Sequence, residues 1–188
     1  MTKEKIKSKE RIKKEVHLPE GVNATINNQF LTLKGHQGEV SKELKQNIIS
    51  IKMENGKVLL ESKGQTKEDK KIMGSLVAHI KNMIRGCSQN HMYTLKICSG
   101  HFPMNVSVSG NKLIVKNFLG EKVPRVLQLK QGAEVKIESD VIYVSSTSKE
   151  TAGQVSADIE QLIRRPGYDP RIFQDGIYIT NKDGKQLK

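Results

Sequence analysis

Apolar and polar residues alternate along NATINNQFLTLKGHQGE, Asn23 to Glu39, and again along NVSVSGNKLIVKNFLGE, Asn105 to Glu121. The two stretches align without a gap at an offset of 82 residues, with Asn23/Asn105, Leu31/Leu113, Lys34/Lys116, Gly38/Gly120 and Glu39/Glu121 as identical pairs. Ala24, Ile26 and Leu33 stand where Val106, Val108 and Val115 recur. A period of two interrupted by a polar turn predicts a β-hairpin in each copy.

Two further elements repeat. KVLLES (Lys57 to Ser62) corresponds to VIYVSS (Val141 to Ser146), a short strand rich in β-branched and aliphatic residues. A helix follows each. In the first copy Thr66 is the expected N-cap, and Ile72, Met73, Leu76, Val77, Ile80, Met83 and Ile84 recur at helical spacing as one apolar stripe. In the second, Thr147 with Glu150 three residues later reads as a capping box ahead of Val155, Ile159, Leu162 and Ile163. Strands grouped before a helix predict an α+β chain of two tandem similar domains, each with antiparallel β-sheets packed with one α-helix. The expected organisation is a basic N-terminal arm over 1–15, a first repeat over 16–87, a second over 88–180 and a basic C-terminal tail over 181–188.

Composition sharpens this. The 188 residues are 36% hydrophobic and 4% aromatic, with no Trp, so both cores must be aliphatic. Lys and Arg number 32 against 20 Asp and Glu, a net charge of +12 that calls for a polyanionic partner, nucleic acid first. Charge does not locate the contact: residues 1–90 hold 18 basic and 10 acidic residues and 91–188 hold 14 and 10, which favours the half with fewer placed arginines. Two cysteines make no disulfide framework, and MTKEKIKSKERIKKE has no apolar core of a signal peptide, so a cytoplasmic protein is expected. The longest apolar stretch, Ile72 to Ile84, is broken by Ser75, His79, Lys81 and Asn82, so no membrane partner is expected.

Most candidate chemistry has a plainer reading. Cys87, His91, Cys98 and His101 offer two thiols and two imidazoles, and a zinc- or thiol-dependent enzyme built on them is the alternative function; however, the alternating MYTLKI would hold the pairs apart as a strand. Gly35 to Gly38 fits a GxxG backbone clamp, yet it follows a strand where such clamps join helices, and Asn117 replaces Gly35 in the second copy. His79 flanks the apolar stripe as a packing residue. No phosphate-cradling loop, nucleophile elbow or catalytic constellation occurs.

RRPGYDPRIFQDGIYI, Arg164 to Ile179, is the informative stretch. Arg164 and Arg165 suit the negative end of a helix that Pro166 and Gly167 stop. Capping leaves Arg171, Tyr168 and Phe173 unexplained. Guanidinium forks bind phosphates, rings stack on unpaired bases and Gly permits close approach, so the loop reads as an RNA contact.

The double repeat, HIKNMIRG followed by YTLKICSGHFPMNV, the turn NFLGEK and RRPGYDPRIFQDGIYI together resemble the L-six family of the large ribosomal subunit (L-nine in eukaryotes), in its archaeal and eukaryotic form. The likeness runs from about Glu15 to Ile179. HFPMNV with NFLGEK and FQDGIY are its specific motifs, while LPEGV and the GEV turn support it. The chain departs from the pattern at Cys87 to His91, where the family has a Gly-Val-Thr-like run ending in Gly-Phe. The resemblance implies a structural constituent without cofactor or catalysis, whose second domain binds large-subunit rRNA near the sarcin-ricin loop and the translation-factor site. Neighbouring ribosomal proteins would be partners and translation factors would pass nearby. Carried over residue by residue, Arg164, Arg165, Gly167, Tyr168 and Arg171 of the loop, with Lys116, Lys122 and Arg125 of the turn, would face RNA.

Overall fold

The computed structural model describes residues 12–27, 30–44, 49–54, 56–169 and 171–187; the first eleven residues of the basic arm, and Pro170 of the terminal loop, lie outside the described ones. The chain divides into two units between Ser88 and Gln89. The first runs β1 (Lys13–His17), β2 (Asn23–Asn27), β3 (Phe30–Gly35), β4 (Gly38–Glu43), β5 (Ile49–Glu54), β6 (Lys57–Ser62) and α1 (Lys67–Ser88). The second runs β7 (His91–Cys98), β8 (Asn105–Ser109), β9 (Lys112–Lys116), β10 (Arg125–Gln128), β11 (Ala133–Glu138), β12 (Val141–Ser146), α2 (Lys149–Leu162), β13 (Gly176–Lys182) and β14 (Lys185–Gln186).

The alternating stretches form hairpins in matching register. Asn23 pairs with Lys34 in the first unit and Asn105 with Lys116 in the second, so the sequence offset is also the offset of backbone pairing. The inward set, Leu31 and Leu33 against Leu113 and Val115, is at most 1% exposed. Each hairpin is completed by a third strand, β4 or β10, into a small antiparallel sheet. The other sheet is β1-β6-β5 in the first unit and β11-β12-β7-β13-β14 in the second. Its three shared strands correspond, β1 to β7, β6 to β12 and β5 to β11, and every pairing is antiparallel. Even the closing bonds recur: Leu18 N–H donates to the Gly56 carbonyl as Ile97 N–H donates to that of Asp140.

Each unit has its own aliphatic core, because each sheet leaves an apolar face that only the helix stripe can cover. Met73, Leu76, Ile80 and Met83 of α1 pack with Val16, Leu31, Leu33, Val58 and Leu60. Val155, Ile159 and Ile163 of the second unit pack with Leu95, Leu113, Ile142 and Val144. Truncating one such side chain to Ala removes transfer energy and leaves a cavity, together about 2–5 kcal/mol.

The helix starts differ from expectation in one place. Thr66 forms a reciprocal capping box: its Oγ1 accepts from Asp69 N–H at 3.1 Å while Asp69 Oδ2 accepts from Thr66 N–H at 2.9 Å. In α2 the cap is Ser148, not Thr147. Its hydroxyl accepts from Thr151 N–H at 3.3 Å and donates to Glu150, so no Thr147–Glu150 box forms. The repeat offset of 82 carries Thr66 onto Ser148, and the shared register selects the cap.

Strands reach into the described parts of both segments read as arm and tail. β1 begins at Lys13, inside the segment read as an arm, because Lys13–His17 pairs with β6. The tail read over 181–188 is largely a hairpin: β13 runs to Lys182, β14 pairs back on it, and buried Asp183 between them accepts a bond at 3.0 Å from the His91 ring. Thr66→Ala is expected to destabilise the first unit by about 1 kcal/mol, with Asp69→Asn costing less, in urea melts of the full chain. Unchanged melts for both would show that the box carries no stability.

Candidate nucleic-acid interface

Of the four sulfur- and imidazole-bearing residues, Cys87, His91 and His101 are each held by a different partner. The Cys87 thiol is buried in the first unit and donates to the Leu33 carbonyl at 3.4 Å; burial pushes it up from the usual thiol value, away from the thiolate a metal or a nucleophile needs. His91, fully buried, is held by Asp183, while His101 hydrogen-bonds Asp175. His91 and Cys98 sit at opposite ends of β7, about 23 Å apart at the usual strand rise. Among the described residues no three His, Cys, Asp or Glu side chains could hold a metal ion together.

The GxxG segment serves α1. Gln37 N–H donates to the Cys87 carbonyl at 3.0 Å, satisfying an acceptor in the last helical turn. A Cβ on Gly35 would stand 2.6 Å from that carbonyl oxygen, so the first glycine is required by close approach. His79 meets Lys42 Nζ through its ring at 2.9 Å, beside the stripe as expected.

The turn after β9 and the loop after α2 come together in the second unit. Asn117 (φ +60°), just before the short 3-10 turn at Phe118–Gly120, and Leu119 (φ +48°), inside it, are both left-handed. A left-handed leucine costs roughly 1–2 kcal/mol, so surrounding contacts must impose the shape. Asn117 Nδ2 donates to the Pro103 carbonyl at 3.0 Å, and Phe118 is buried. Arg125 supplies most of the hold. Its Nε and Nη2 grip both oxygens of Glu121 at 2.8 and 2.7 Å, and its Nη1 donates to the Leu162 carbonyl at the end of α2 at 2.7 Å. The guanidinium also lies 4.5 Å from the Phe118 ring centre.

Arg165 lies 3.9 Å from Glu121 and stacks 4.3 Å from the Tyr168 ring centre. Tyr168 meets Phe173 edge-on at 4.9 Å, and Phe173 meets the His101 ring at 5.2 Å. The result is a ladder of a guanidinium and three rings running from Glu121 to Asp175. It borders a cleft of about 710 Å³ lined by Phe118, Leu119, Arg164, Pro166, Tyr168 and Phe173 among others. Gly167, at φ +86° with nothing within 4 Å of its missing Cβ, makes the turn in open space. Arg164, Lys116 and Lys122 are exposed. Arg171 is exposed as well and forks onto Asp169 at 2.9–3.3 Å.

Thus the structure brings Arg164, Arg165, Gly167 and Tyr168 together with the segment from Glu121 to Arg125. Two of the expected contact residues have their forks engaged by a carboxylate of the chain: Arg171 by Asp169 at the surface, and Arg125 by Glu121 in a partly buried setting. Sequence reasoning gave no site role to Glu121, Phe118 or Asp175, and considered His101 only for the metal alternative. The i,i+4 spacing of Glu121 and Arg125 carried a usable signal, whereas nothing in sequence links His101 to a carboxylate 74 positions on.

Two carboxylates are tuned by this network. The Arg125 fork, helped by Arg165, holds Glu121 below its ordinary value despite partial burial. Burial works against ionisation of Asp175, but hydrogen bonds from the His101 N–H and ring and from Gly100 N–H outweigh it and hold this carboxyl low as well.

A family model described as Ribosomal protein L6 matches residues 18–90 and 102–176, one segment in each unit. The large ribosomal subunit protein uL6 of Methanococcus vannielii is 43% identical over 176 residues, covering 94% of this chain and 97% of that protein. Proteins of the same name from Methanocella arvoryzae and Methanothrix thermoacetophila are each 39% identical, over 170 and 173 residues. They cover 90% and 92% of this chain and 96% and 98% of their own lengths.

Asp175 gives the interface an acid limit. A carboxyl held low in the folded state adds stability that is fully present above its unfolded value, about 3.9, and is lost as pH falls through the lower folded value. The stability gap between the natural chain and Asp175→Asn, from urea melts at several pH values, should therefore close as pH falls from about 5 to below about 4. A gap that does not move with pH in that range would contradict the assigned hydrogen bonding.

Proposed function

The chain belongs to the ribosomal protein L6 family and is a structural constituent of the large ribosomal subunit, a non-enzyme of the cytoplasmic ribosome; on that premise we propose that its second unit binds large-subunit rRNA through the terminal loop and the turn beside it, near the sarcin-ricin loop and the translation-factor site. Arg164, Arg165 and Arg171 supply phosphate contacts, Gly167 lets the backbone approach, and Tyr168 offers a ring for an unpaired base. Lys116 and Lys122 extend the cationic surface across the turn. Arg125 belongs to this surface as its internal tie.

The observation that carries the reading is convergence. Cations, stackable rings and a glycine turn, which sequence spreads over more than 50 positions, lie on one ion-paired network from Glu121 to Asp175. A solvated face of scattered charge would not fix its guanidinium groups on rings and carboxylates. Neighbouring ribosomal proteins are further partners, and translation factors would pass close to the same surface.

Salt dependence tests it. Each arginine at a phosphate adds about one unit to the slope of log affinity against log salt, so Arg164, Arg165 and Arg171 replaced together by Ala should flatten the slope by about two to three. Tyr168→Ala should weaken binding by about 1–3 kcal/mol and leave the slope alone, since stacking releases no counterions. If the triple variant melts lower but binds large-subunit rRNA with the natural affinity and slope, the arginines are helix-end residues only and the assignment fails.

A further inference from the structure

The internal repeat exposes a place in the first unit that its counterpart fills. In the second unit β7 is flanked on both sides, by β12 and by β13, which returns from the terminal loop. In the first unit the chain leaving α1 goes on to β7 instead of returning. Among the described residues β1, the counterpart of β7, therefore stays at the edge of its sheet.

Hydrogen bonding says which groups face that edge. Ser62 N–H donates to the Ile12 carbonyl and Leu18 N–H to the Gly56 carbonyl, so even-numbered residues of β1 address β6. In an antiparallel ladder alternate residues point the opposite way, which turns the backbone groups of Lys13, Glu15 and His17 outward. Their counterparts in the second unit, Met92, Thr94 and Lys96, face β13: Asp183 N–H donates to the Met92 carbonyl, and Lys96 pairs with Tyr178. Burial follows the same comparison. Tyr93 and Ile97 are 7% and 8% exposed, whereas Lys14 in the place of Tyr93 is exposed and Leu18 in the place of Ile97 is only half-buried.

We propose that the free edge of β1 accepts one antiparallel strand from a neighbouring protein of the assembled particle, an acidic extended segment that occupies the position β13 holds in the second unit. Main-chain bonds to Lys13, Glu15 and His17 give the attachment. The side-chain pattern follows from register: in β13, Ile177 lies opposite Ile97 and Ile179 opposite Leu95. The incoming strand therefore places apolar residues opposite Leu18 and Val16 and a carboxylate opposite Lys14, read in its own direction as apolar-x-apolar-x-acidic. Lysines at a sheet edge also deter indiscriminate pairing, so a strand with an apolar residue opposite Lys14 is refused and one with a carboxylate there is admitted. This inference is independent of the rRNA-binding loop and concerns the other unit.

A photoreactive side chain placed at His17, in the full chain assembled into native large subunits, tests it together with hydrogen exchange. The expected result is an adduct with a polypeptide segment carrying that pattern, and exchange over Lys13 to His17 slowed by about tenfold or more relative to the free chain. Glu15→Pro removes only an outward N–H, so the free variant should melt near the natural temperature while the adduct and the slowed exchange are lost. Glu15→Ala controls for the Glu15–Lys57 ion pair at 3.3 Å and should keep both. An adduct with rRNA, with this chain or a second copy, or with a segment lacking the pattern would overturn the proposal. So would unchanged exchange, or an adduct that persists in a folded Glu15→Pro variant.

Discussion

The proposed binding face of the second unit depends on Arg125. The end of α2 leaves carbonyls with no partner inside the helix, and the turn after β9 holds a leucine in a conformation it disfavours. One guanidinium meets both needs, donating to the Leu162 carbonyl while gripping Glu121 and covering Phe118. Glu121 is then positioned to attract Arg165, and Arg165 in turn lies on Tyr168. Without this bridge the turn and the loop would be separate short segments. A partly exposed fork of this kind is worth only about 1–3 kcal/mol, which matters less than the register it imposes on everything beyond it.

Duplication explains the frame and its asymmetry. Both units use the same strand order, the same hairpin register and the same closing hydrogen bond, so the aliphatic core is solved once and reused. What differs is the sequence after each helix. After α2 the chain makes the arginine-rich loop and comes back as β13, and that return also closes the sheet and buries Asp183 against His91. The loop is therefore anchored at both ends by regular structure, while Gly167 and Arg164 remain in solvent.

How far the sequence carries this is clear from particular residues. The hairpins were legible because a period of two is local, and repetition removed the ambiguity of short apolar runs. The caps were legible at Thr66 and misplaced by one at Ser148, where two adjacent hydroxyl residues compete and only backbone geometry decides. In the loop, the residue types of Arg164, Arg165 and Tyr168 are what suggest a phosphate- and base-binding surface. The pairings that organise it were not legible: Arg125 with the Leu162 carbonyl and His101 with Asp175 span 37 and 74 positions and depend on folding of the whole unit. The tail reads as a charged extension because its pairing partner, β7, lies about 90 residues upstream.

The central claim is that turn and loop form one RNA-facing surface held together through Glu121, Arg125 and Arg165. The most direct measurement places a photoreactive side chain at Lys122 in one variant and at Arg164 in another, assembles each into large subunits and maps the adducts on rRNA. Both are expected to fall within one compact region of folded large-subunit rRNA. Adducts in two distant regions, or with protein alone from both positions, would contradict the account.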